Sequence, residues 1–70
     1  MKKHSICLHG HATSFSLEDV FFEELKAIAH NEGTSLASLI QNIDDKRTEN
    51  LSSALRVYIL RKVKEQQKNT

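Results

Sequence analysis

The sequence predicts a small, mostly α-helical protein that opens with a short β-ribbon, ends with a third helix and completes its core by intertwining with a second copy. Three observations carry that expectation. The chain has 70 residues, and a domain of that size buries only about 60% of the surface its unfolded chain exposes. The run Thr13-Ser14-Phe15-Ser16-Leu17 alternates in polarity, which is the period of a half-buried strand. Everything after Leu17 reads as three amphipathic helices separated by short polar breaks.

A chain this short is reinforced by disulfides, by a metal or by oligomerisation. Cys7 is the single cysteine, so no internal disulfide can form. Oligomerisation is the remaining simple route, since the histidines do not make a convincing metal set. His4, His9 and His11 crowd the start of the chain, but a metal site needs three or four placed ligands. Turn residues and phosphate contacts are the simpler roles. No metal and no cofactor are expected.

The strand is expected over about 12–17. A weaker β-favouring stretch, Ser5 to His9, precedes it, with Gly10 between, so a hairpin is an option. The first helix is expected over 18–31. Ser16 and Asp19 form an S-x-x-D capping signal, and Val20, Phe21, Leu25, Ile28 and Ala29 recur at helical spacing. Gly33 is the expected left-handed residue after its end. The second helix, 35–44, has Ser35 as N-cap and Leu36, Leu39, Ile40 and Ile43 as its apolar stripe. The polar run Asp44 to Asn50 leads to a third helix over 50–65, capped by Asn50 and apolar on several sides. The tail from Gln66 to Thr70 is expected to fray. The whole chain, 1–70, reads as one domain.

The formal net charge is +1, and its distribution says more than its size. Lys2 and Lys3 are the only charged residues before Leu17, the middle of the chain is acidic, and Arg56, Arg61, Lys62, Lys64 and Lys68 follow. Basic ends around an acidic middle are compatible with nucleic-acid contact at one end. His4 and Ser5 follow the two lysines in place of an apolar run. That reads as the absence of a secretory leader, and with the lone cysteine it sets the expectation of a cytoplasmic protein without a membrane span.

A lone strand needs partners for its backbone N–H and C=O groups. Two copies pairing antiparallel would supply them. Phe15 and Leu17 of both chains would face the helices, leaving Ser14 and Ser16 outside. A two-stranded ribbon fits the major groove of B-DNA. The N-terminus of the second helix, at Thr34 and Ser35, would offer N–H groups to a phosphate.

The run from Thr13 to Ile40 resembles the ribbon-helix-helix (MetJ/Arc) superfamily of bacterial repressors and antitoxins. Leu25, Ala29, Gly33, Ser35, Leu39 and Ile40 occupy the shared frame. Gly10, His11, Thr13, Ser14, Ser16, Leu17 and Glu18, with the later N-L-S-S-A-L-R-V-Y-I-L run, look like a small subfamily that adds a C-terminal helix. The resemblance implies an intertwined homodimer that binds double-stranded DNA as a transcription regulator or repressor. It implies base contacts from Ala12, Ser14 and Ser16. The first of these is commonly basic in the family, and here it is Ala12. Lys2, Lys3 and His11, with Thr34 and Ser35, are the expected phosphate contacts. No catalytic constellation is visible, so an enzyme is not expected. The alternatives are a protein-interaction or antitoxin-like module with weakened DNA binding, and further assembly to a tetramer.

Overall fold

The computed structural model describes residues 1–68. Strands β1 (Lys2–Leu8) and β2 (His11–Leu17) form an antiparallel hairpin, followed by helices α1 (Asp19–Asn31), α2 (Leu36–Lys46) and α3 (Leu51–Lys68). The order of a β-ribbon and then three helices is the expected fold class. The expectation of a frayed tail from Gln66 is corrected, since α3 continues through Lys68; the last two residues of that tail, and of a domain spanning 1–70, lie outside the described residues.

The sheet corrects one expectation. β2 does not wait for a second chain, because β1 pairs with it along its whole length, from Lys2 opposite Leu17 to Leu8 opposite His11. The reason lies in the turn. His9 and Gly10 both have positive φ, 53° and 78°. Two such central residues make the tight turn whose twist matches that of paired strands, and histidine is among the side chains that tolerate this region.

Each strand has one face on the helices. Leu8, Phe15 and Leu17 are buried, and His4 and Ile6 are half-buried on the same side. The helices deliver Leu25, Ile40, Leu55 and Ile59 to the same core, and these four are almost wholly inaccessible. The core is therefore one layer of helices against one face of a two-stranded sheet.

The caps explain where the helices begin and end. Gly33, at φ 68°, donates its N–H to the His30 carbonyl, and the Thr34 N–H reaches the Ala29 carbonyl. This pair of bonds closes the end of α1 in a Schellman arrangement. Ser35 Oγ accepts the Ser38 N–H and Asn50 Oδ1 accepts the Ser53 N–H, so α2 and α3 start on the expected caps. The S-x-x-D signal is not used. Ser16 is still in β2, and the N-cap of α1 is Glu18, without a side-chain capping bond. The carboxylate of Glu18 instead accepts Arg56 Nε at 2.9 Å, tying the start of α1 to α3.

Candidate nucleic-acid interface

The face of the hairpin turned away from the helices is the candidate site. Alternation along two paired strands decides its membership. Because Phe15 and Leu17 point inward, Ser16, Ser14 and Ala12 point outward. Their cross-strand partners Lys3, Ser5 and Cys7 share that face. All but Ser16 are exposed. The face is flat in chemistry: three serines, one alanine, one thiol and one cation, with no large apolar side chain.

The same register separates the expected phosphate contacts. Lys3 stands on the outward face. Lys2 and His11 pair with Leu17 and Leu8, so both stand on the helix-packed face, exposed at its two ends. Lys2 Nζ also lies 3.8 Å from Asp19. Among the described residues, no hydrogen bond or ion pair joins Thr34 or Ser35 to the ribbon. The hairpin turn meets the other end of α2, where the His9 N–H donates to Gln41 Oε1 and His9 Nε2 lies 2.6 Å from Asp45 Oδ1. Ser5 and Cys7 were missed as members of the face. Their strand puts a histidine inside and a cysteine outside, which hides its period of two.

The outer edge of β2 completes the site. In a hairpin closed by a two-residue turn, the closing pair and every second pair after it exchange hydrogen bonds. That assigns Leu8 with His11, Ile6 with Thr13, His4 with Phe15 and Lys2 with Leu17 to the bonded pairs. The backbone groups of Ala12, Ser14 and Ser16 therefore point away from β1. The Ser16 N–H confirms the direction, donating to Ser52 Oγ of α3 at 3.3 Å. At Ala12 and Ser14 no hydrogen bond to that edge is found among the described residues.

Electrostatics elsewhere are those of a braced scaffold. The hydrogen bond from Arg56 holds the Glu18 carboxyl below the usual carboxylate range. The hydrogen bond to Glu32 raises Lys62, and burial, with the Glu32 charge, raises the Tyr58 phenol. His9, Asp44 and Asp45 place ligand atoms within 4.8 Å of one another. Asp44 already receives Arg47 Nε at 2.6 Å and Asp45 is hydrogen-bonded to His9, so the group satisfies itself. No described helix is long and apolar enough to cross a membrane.

Comparison with known proteins gives one result. No match was found among curated proteins or solved structures. A family model described as a ribbon-helix-helix domain matches residues 1–63. That span takes in the hairpin, α1, α2 and most of α3. The chain belongs to the ribbon-helix-helix domain family.

Proposed function

We propose that this protein is a DNA-binding transcriptional regulator, acting in the bacterial cytoplasm as a homodimeric repressor, and that it is a binding protein and not an enzyme. The observation that carries the reading is the outward face of the hairpin. It is polar and, apart from the half-buried Ser16, exposed on the side away from the core. Ser14 and Ser16 would meet base edges, where a hydroxyl both donates and accepts. Ala12 could touch only a thymine methyl. The start of α2 at Thr34 and Ser35 would hold phosphate through its N–H groups, which sets register without carrying sequence information. The open edge at Ala12 and Ser14 is where two chains would join.

Two measurements test this together. Molar mass in solution should be that of two chains. Fluorescence anisotropy should show duplex DNA bound at low salt and released steeply as salt rises. No binding at low salt overturns the proposal.

A second reading follows from Ala12. Without the customary basic side chain there, the fold would serve as a protein-interaction or antitoxin-like module with weakened DNA binding, and its dimers could assemble into tetramers. A partner that co-purifies in fixed ratio, with no DNA affinity in the complex or alone, would favour it.

A further inference from the structure

The hairpin changes what a two-chain ribbon would look like to DNA. With β1 already paired to β2, joining two chains at the open β2 edges yields four strands in the order β1, β2, β2, β1. Neighbouring strands lie about 4.8 Å apart, so the two outer strands would be separated by about 14 Å. The major groove is about 12 Å wide. The central pair fits between the groove walls. The outer pair cannot, and it comes to lie over the sugar-phosphate backbones on either side.

We propose that β1 forms the phosphate-contacting rails of this protein, with Lys3 and Ser5 of each chain on the DNA backbone and the β2 strands alone reading bases. The inference rests on the DNA-binding reading above. Three features of the hairpin support it. Lys3 is the only charged side chain on the outward face, and among the described residues it has no ion-pair partner. Ser5, the next outward residue along β1, adds a hydroxyl donor one pleat from the ammonium. Lys2, its immediate neighbour, faces the helices and lies near Asp19, so it provides a control that differs mainly in direction. An ammonium and a hydroxyl suit phosphate oxygens, which need charge and donors without base-specific geometry. The outward cation of the fold thus stands on the strand flanking β2, opposite Ser16, while Ala12 is faced by Cys7.

The experiment is a salt titration of duplex binding by anisotropy, with wild type, Lys3→Ala, Lys3→Arg, Ser5→Glu and Lys2→Ala. Each dimer loses two phosphate contacts in Lys3→Ala, so the slope of log K against log salt should become shallower by about 1.8. The loss should be equal for related and unrelated duplexes. Lys3→Arg should restore the slope, Ser5→Glu should weaken every duplex while the dimer mass holds, and Lys2→Ala should leave the slope unchanged. If wild type binds DNA but Lys3→Ala keeps its slope, or Lys2→Ala flattens it equally, the role of β1 is overturned and the DNA reading stands. If wild type binds no duplex at low salt, both fall.

Discussion

The His4 imidazole lies flat against the Phe22 ring, with centroids 3.9 Å apart and planes 10° from parallel. It also stacks on Phe15 at 5.3 Å, so a strand and a helix are joined through a ring that is polar by composition. Its Nε2 is buried without a hydrogen-bond partner among the described residues. A buried unsatisfied nitrogen costs about 1–3 kcal/mol. His4→Phe keeps the stack and removes the nitrogen, so it should raise the urea midpoint. His4→Ala removes the nitrogen and the stack together, so it should be less stable than His4→Phe by about 1 kcal/mol of lost stacking and burial. A His4→Phe variant less stable than wild type would refute this account.

Leu17 is fully buried at the junction of β2 and α1. Leu17→Ala should cost about 2–5 kcal/mol through lost burial and the cavity left behind. In a domain of this size that is most of the stability available. Far-UV circular dichroism at 25 °C should show a largely unfolded population.

Gly33 has φ 68° and open space where a Cβ would stand. The penalty for a side chain there is conformational and not steric. Gly33→Ala should cost about 1 kcal/mol, and Gly33→Asn should cost less, because asparagine visits the left-handed region more readily. Urea unfolding of the two variants distinguishes this from a packing defect, which would penalise the larger asparagine more.

The Glu18–Arg56 pair makes a prediction about pH. The Glu18 carboxyl is held below its usual range in the folded chain by the Arg56 hydrogen bond. Its contribution to stability is therefore present above the ordinary carboxylate range and is lost as pH falls through the depressed folded value. Glu18→Gln should lower the thermal midpoint at pH 7, and the gap to wild type should close as pH approaches 2. A gap that stays constant with pH would show that the pair acts by packing alone.

Ala12 offers a gain-of-function test. Its side chain stands on the outward face beside Ser14. Ala12→Arg should tighten binding to duplexes that place a guanine beneath it by about 1–3 kcal/mol, through bidentate contact with the base edge. The measurement is anisotropy against duplexes that differ at that base pair. Equal tightening on all of them would mean that the arginine reaches phosphate instead.

How much was legible in the sequence varied with the kind of signal. Leu25, Ile28 and Ala29, and likewise Leu39, Ile40 and Ile43, are buried as their helical spacing requires. Gly33, Ser35 and Asn50 stop and start helices where local chemistry says they should. The strand from Thr13 was clear because serine and phenylalanine alternate without ambiguity. β1 was not, since His4 is inside by stacking and Cys7 is outside, against the usual preference of each. The direction of Lys2 depends on the register of that obscured strand, whereas His11 is in step with Phe15 and Leu17 and its face follows from the alternation of β2 once the strand reaches it. Ser16 is the opposite failure. It matches a capping motif, yet the pairing of Leu17 with Lys2 keeps it in the sheet, and a long-range bond overrode a local one.

A ribbon that closes on itself has a consequence for how this protein comes into being. Where sheet formation needs a second molecule, the concentration of newly made chains sets the pace of folding. Here each strand finds its neighbour across a two-residue turn, which costs little loop entropy and forms on the timescale of a hairpin. Newly made subunits can therefore acquire their sheet individually, even when they are too scarce to meet.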